Sequence, residues 1–191
     1  MATISYIGIH HFGGQLTLKQ LNALHKSEWP DMPSELRPDL YVGYNIVIWK
    51  DGSWLQARYI GEETCAQKGH NKDTVSICLA GNFTKGKDRP TLAQQDTLKA
   101  FCIALISKSP QTYGFAVKPG TVINIPPTNI FPHRVLQPNH TECYGSGLSD
   151  TWARDLVTKP IVNPIKISSP GPKFAGFNLF KRHKCTKGVR G

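Results

Sequence analysis

Thr3 to His11 is a run of β-branched, aromatic and apolar residues with few polar interruptions, the pattern of a buried strand, and Gly13-Gly14 stops it just after two histidines. Histidines delivered to the end of a strand face a cleft more often than a core. Leu18, Leu21, Leu24 and His25 then recur at helical spacing behind the capping box Thr17-Leu18-Lys19-Gln20, which predicts a helix to about Trp29, ended by Pro30. Residues 30–41 are rich in proline and charge and predict a long loop, a candidate wall for a groove. Residues 43–57 carry two apolar segments around Asp51-Gly52, a β-hairpin with Tyr44 at its entry.

Thr74 to Ala80 is nearly continuous in apolar residues, which predicts a strand covered on both faces and closed by Gly81-Asn82. A second capping box, Thr91-Leu92-Ala93-Gln94, opens an amphipathic helix through Leu98, Phe101, Cys102 and Leu105 to about Lys108. Thr121 to Ile125 predicts a further strand, and a proline-rich turn leads to Phe131-Pro132-His133. Strands alternating with helices indicate an α/β domain, a mixed central β-sheet flanked by α-helices.

Charge divides the chain. Of 23 Lys and Arg against 13 Asp and Glu, residues 1–155 hold 15 basic and all 13 acidic ones, whereas the 36 residues after Asp155 hold eight basic residues and no carboxylate. That segment also contains four prolines, with Phe174, Phe177, Leu179 and Phe180 as its apolar anchors. The expected organisation is one domain over residues 1–157 and a Pro/Gly-rich basic tail over 158–191. A chain of 191 residues suits one compact domain plus an appendage.

No run approaches the roughly 18 apolar residues of a membrane span, and the first residues lack a basic start, an apolar stretch and a cleavage site, so a protein made and kept in the cytoplasm is expected. Five cysteines without short paired spacing argue against a disulfide framework. Cys65, Cys78 and Cys102 read as small buried hydrophobes, and His183 with Cys185 lies in a segment too basic to attract a cation.

Candidate metal ligands include His10, His133 and Cys143. A catalytic zinc site takes three protein ligands, commonly histidine nitrogen or cysteine thiolate, and two histidines with one cysteine meet that count. Composition leaves the alternative open that His133 is an ordinary loop histidine and Cys143 an unrelated buried thiol. His11 is the lesser ligand candidate beside His10, since neighbours on a strand point to opposite faces.

Four segments, in order, resemble the zinc-dependent N-acetylmuramoyl-L-alanine amidases, the group that includes the peptidoglycan recognition proteins and small phage lysozymes that are amidases. They are Ile7-Gly8-Ile9-His10-His11, Val42-Gly43-Tyr44-Asn45-Ile46-Val47-Ile48 with Lys50-Asp51-Gly52, Gly69-His70-Asn71 with Val75 through Phe83, and His133-Arg134 followed by Thr141-Glu142-Cys143. The resemblance runs from about Ile4 to Leu156. It implies zinc held by His10, His133 and Cys143, with Tyr44 beside the metal-bound water. It also implies a second polar group at Thr141, with His140 as the alternative and, by its near-neutral reference pKa, the better proton donor. Where some relatives carry a glutamate in the central strand this chain has Cys78, which places it with the tyrosine type.

The implied activity is hydrolysis of the amide between N-acetylmuramic acid and L-alanine in bacterial peptidoglycan by a monomeric phage endolysin, held in the host cytoplasm until lysis. The rivals are a non-catalytic peptidoglycan-binding or regulatory protein on the same fold and a nucleic-acid-binding protein suggested by the basic tail. Anionic cell-envelope polymers or membrane surfaces would attract that tail equally, and no specific nucleic acid is expected. Three departures stand out: nine residues between His133 and Cys143, a longer loop than the family's usual one; Cys143-Tyr144-Gly145 in place of Cys-Pro-Gly; and Ala66 or its neighbours where many relatives have a substrate-facing histidine.

Overall fold

The computed structural model describes residues 2–159. The predicted basic tail lies outside the described residues, apart from its first two positions. Twelve short elements build the fold around a five-stranded sheet. They begin with β1 (Thr3–Ile4), β2 (Tyr6–His11) and α1 (Leu18–Glu28), followed by the hairpin β3 (Ile46–Ile48) and β4 (Trp54–Gln56). Then come β5 (Thr74–Leu79), α2 (Leu92–Ile106), a 3-10 turn at Pro110–Tyr113, β6 (Val122–Ile123), β7 (Ile130–Pro132), α3 (His133–Leu136) and α4 (Trp152–Thr158). The strand order is β4-β3-β5-β2-β7, with only the β3–β4 pair antiparallel. This is the mixed sheet flanked by helices that the alternation implies.

Both capping boxes form. Thr17 and Gln20 close the start of α1, and Thr91 and Gln94 that of α2. Gln94 does more than cap: its buried amide also donates to the carbonyls of Ile48 and Ala80, so the start of α2 is tied to the ends of β3 and β5. β5 lies between β3 and β2 and is buried at every position, as its apolar run predicts.

Three expectations need correction. The strand from Thr3 to His11 is broken at Ser5, because β1 leaves the central sheet and pairs with β6 in a separate two-stranded parallel sheet. The expected strand over Thr121 to Ile125 is therefore that short partner. The segment ending at Phe131-Pro132-His133 is more than an approach to His133: β7 is the edge strand beside β2, with Ile9 in register with Pro132. Three residues are too few for a period to show.

Alternation sets the two faces of the sheet. Ile7 and Ile9 of β2, Ile46 and Ile48 of β3, and Val75, Ile77 and Leu79 of β5 join Leu98, Phe101, Cys102 and Leu105 of α2 in one apolar cluster. Ala153 of α4 joins the same cluster. The register puts Gly8 opposite Ser76, His10 opposite Cys78, and Cys78 opposite Val47, so these share the other face. Val47 packs there with Leu21 of α1, Val42 and Ala57.

Candidate metal centre and its cleft

His10 comes from the end of β2 on the face away from α2, and burial is nearly complete at 1% exposure. His133 opens α3 directly after β7, the neighbour of β2, so strand pairing sets the two rings 4.7 Å apart. Cys143 closes the arrangement, with Sγ 3.8 Å from Nδ1 of His10. One ligand atom from each of the three lies within 4.8 Å of the others. It is the one such metal-ligating cluster among the described residues.

The long loop that carries Cys143 is held by Arg134. Its backbone N–H donates to the Cys143 carbonyl at 2.7 Å. Its guanidinium donates to the carbonyls of Gly145 and Leu148 and pairs with Asp150 at 2.6 Å. Gly145 sits at φ 101° against the Phe83 backbone, where a Cβ would come within 2.3 Å of a carbonyl carbon. Tyr144, at the position where the resemblance leads to proline, is fully buried and donates to the Ser149 carbonyl at 2.6 Å. The loop's length therefore does not displace the thiol, because these contacts fasten it beyond the cysteine.

Burial lowers both site histidines. His10 is held well below the usual histidine range by burial and then by the neighbouring His133, against a raising hydrogen bond from Gln67. His133 is lowered by burial, partly offset by Gln137. Both therefore offer neutral nitrogen at neutral pH. Burial pushes the Cys143 thiol up to about 12, with the His11 backbone N–H and Arg134 acting in the opposite direction. The His11 N–H lies 3.3 Å from Sγ, a donor placed to support a thiolate. Two neutral imidazoles and one thiol that a divalent cation would deprotonate are a donor set suited to zinc.

Tyr44 stands between Gly43, whose N–H donates to His25 Nδ1 at 2.9 Å, and Asn45, whose side chain is bonded to Ser76 N and the Tyr59 carbonyl. These bonds fix the entry to β3 and place the Tyr44 ring 5.1 Å from that of His10. Its hydroxyl is raised well above the usual tyrosine value, first by burial, then by the thiols of Cys78 and Cys143. It keeps its proton and can donate.

His11 points away from the three ligands: its Nδ1 accepts the Phe83 N–H at 3.0 Å, a hydrogen bond behind the site. Thr141 lines the cleft, and its Oγ1 accepts the Cys143 N–H at 3.1 Å. His140, one residue earlier, is exposed and is not among the cleft-lining residues. Cys78 and Cys102 are buried, as expected; Cys65 is only half-buried and lies on the cleft wall. Two residues not singled out from the sequence touch the histidines, Gln67 at 2.6 Å from His10 Nε2 and Gln137 at 3.0 Å from His133 Nε2. Gln137 lies four residues after His133, a spacing that puts both on one face of a helical turn. Gln67 reaches His10 from a distant loop, and no local signal marks it.

The three candidate ligands and Tyr44 line a cleft of about 790 Å³, walled by Trp29, Met32 and residues 63–68. Beyond Trp29 at the end of α1 and Met32 just after it, its walls come from the loop before β5, and one side is closed by Gln137 and residues 141–143.

A family model described as N-acetylmuramoyl-L-alanine amidase matches residues 1–146. Among solved structures, the chain is similar to the endolysin amidase LysCS from Clostridium intestinale URNW, with 20% identity, a TM-score of 0.55, and 75% of this chain and 76% of that one covered. It is similar to the Ph2119 endolysin from a Thermus scotoductus bacteriophage at 16% identity and TM-score 0.56, covering 82% and 86%. Wild-type PGRP-LB of Drosophila matches at 20% identity and TM-score 0.52, covering 81% of each chain. At such identities the likeness is one of fold. No curated protein matches in sequence.

Proposed function

Because the chain belongs to the N-acetylmuramoyl-L-alanine amidase family and is thus an amidase acting on peptidoglycan, we propose that it hydrolyses the amide between the lactyl group of N-acetylmuramic acid and L-alanine with zinc held by His10, His133 and Cys143. The observation that carries this reading is the convergence of those three ligand atoms within 4.8 Å in a cleft that also contains Tyr44. Zinc bound there would lower the pKa of a water from about 15.7 toward 7 and polarise the scissile carbonyl. The cleft walls hold the muramyl peptide with its amide over the three ligands. Tyr44, protonated and fixed by its neighbours, donates a hydrogen bond to the oxyanion that develops on the carbonyl. Thr141 is the second polar group, since it lines the cleft and its hydroxyl orders the Cys143 backbone.

The proposed setting is a phage endolysin, kept in the host cytoplasm and acting on the wall after release, a reading the endolysin neighbours support. The basic segment after residue 157 would add salt-sensitive attraction to anionic envelope polymers, with a range of about 8 Å at physiological ionic strength. A non-catalytic binding protein is the competing reading, and it would require a missing ligand; this chain retains all three and Tyr44.

Digestion of purified sacculi tests the proposal. New L-alanine amino termini should appear, disappear on chelation and return with added zinc. New reducing sugars would instead indicate cleavage of the glycan, and binding to sacculi without any new termini would establish the non-catalytic reading.

A further inference from the structure

Each histidine of the proposed centre is engaged by a glutamine carbonyl. His10 Nε2 lies 2.6 Å from Gln67 Oε1, and His133 Nε2 lies 3.0 Å from Gln137 Oε1. A carbonyl oxygen only accepts, so each ring must carry its proton on Nε2 and keep the Nδ1 lone pair free. For His10 that free nitrogen is the one facing Cys143, at 3.8 Å.

For Gln137 an independent contact fixes which amide atom faces the ring. Gln137 Oε1 also accepts the Lys68 backbone N–H at 3.2 Å, which an amide nitrogen could not do. Gln67 Oε1 also lies 3.4 Å from the Ser76 hydroxyl, which can donate to it. Gln67 is 1% exposed, and its Nε2 is buried without a hydrogen-bond partner. An unpaired buried amide is uncommon. β2 also makes room for it: a Cβ at Gly8 would fall 2.8 Å from Gln67 Oε1 and 2.9 Å from its Nε2.

We propose that Gln67 and Gln137 are positioning residues that lock His10 and His133 as Nε2–H tautomers and present both Nδ1 atoms to the metal, with Gln67 the stronger of the two. The assignment rests on the zinc reading above. It explains the glycine in Ile7-Gly8-Ile9-His10.

Zinc affinity, measured by competition with a chromophoric chelator, and thermal unfolding of the zinc-free protein should be compared for wild type, Gln67→Leu, Gln67→Glu and Gln137→Leu. Loss of a partner behind a metal-binding histidine typically weakens binding about 10–100-fold. Gln67→Leu should show that loss with little change in the stability of the zinc-free protein, because the loss of the orphaned amide offsets the loss of the acceptor for the His10 N–H. Gln67→Glu, whose carboxylate accepts the same proton, should restore affinity. Gln137→Leu, at a half-exposed position, should show a smaller loss. Long-range proton–nitrogen NMR spectra of the zinc-free wild type should show both imidazoles as Nε2–H tautomers, a readout that depends on no variant folding. Wild-type zinc affinity in Gln67→Leu, or Nδ1–H tautomers in the spectra, would overturn the assignment and leave the metal site standing. A wild-type protein that binds no zinc would overturn the metal site itself, and with it the assignment.

Discussion

The same strands present two faces built on different terms. On the α2 side, Ile7, Ile9, Val75, Ile77 and Leu79 meet Leu98, Phe101 and Leu105, and any set of side chains that fills the volume would hold the layers together. On the other side Gly8, His10, Ser76 and Cys78 alternate with those same residues, and there the identity of single atoms matters: a free Nδ1, an accepting Oε1, a thiol in reach. One face is satisfied by volume and the other by position. Substitutions should therefore separate into those that change stability alone and those that change metal binding and turnover alone.

The sharpest contrast is between two sulfurs, one on each side of the sheet. Cys143→Ser should lose zinc and bring turnover to background while unfolding much like the zinc-free wild type, since a hydroxyl is a poor substitute for thiolate. Cys102→Ser, on the α2 side, should keep one zinc per chain and lose about 1–3 kcal/mol of stability for burying a hydroxyl. Metal analysis together with calorimetry reads both, and zinc loss in Cys102→Ser would break the division between the faces.

Next in size is the pair Leu98→Ala and Tyr44→Phe. The first leaves a cavity beneath the sheet and should cost about 2–5 kcal/mol with zinc stoichiometry unchanged. The second removes one hydroxyl and little volume, and should lower kcat about a hundredfold with stability and zinc retained, as for loss of one oxyanion donor. Tyr44→Phe within twofold of wild type would take the tyrosine out of the chemistry.

The cleft side also carries the pH sensitivity. His25, behind Tyr44 at a ring separation of 5.4 Å, is lowered from 6.5 to about 4 by burial and by Arg58, and its Nδ1 accepts the Gly43 N–H. Between those values the unfolded chain binds a proton that the folded chain refuses, so stability falls as pH drops from about 6.5 toward 4 and is unaffected above that window. Denaturant titrations of zinc-free protein should show this slope. It should be shallower in His25→Gln, which can still accept the Gly43 N–H but does not titrate; an unchanged slope would assign the effect to the other buried histidines.

What could be read from the chain follows the same division. The α2 face repeats every second residue along β2 and β5, and the capping boxes at Thr17 and Thr91 announce their helices, so the sheet and its main helices are legible from local pattern. β7 is not, because Ile130 to Pro132 is too short for a period and is a strand only through its pairing with β2. Nor is the break at Ser5, which depends on a partner over a hundred residues away. At the site, the segments around His10, Tyr44, His133 and Cys143 are visible because each stands in a recognisable local motif. Gln67 and the Arg134 contacts that fasten residues 143–150 are not, since they are tertiary contacts from loops without pattern.

The smallest expected effect separates neighbours on one loop. Thr141 is half-buried on the cleft wall and accepts the Cys143 N–H, whereas His140 is exposed outside that wall. Removing one neutral hydrogen bond is worth about 0.5–1.5 kcal/mol, so Thr141→Ala should lower kcat/KM by roughly tenfold or less, and His140→Ala should lie within twofold of wild type. Thr141→Ser restores the hydroxyl and should recover most of the loss; if it does not, the methyl group's packing rather than its hydrogen bond accounts for the defect. The opposite ranking, with His140→Ala the more damaged and an acidic limb moved in its pH profile, would mean that the loop folds inward over bound substrate and that the proton donor to the leaving amine is His140.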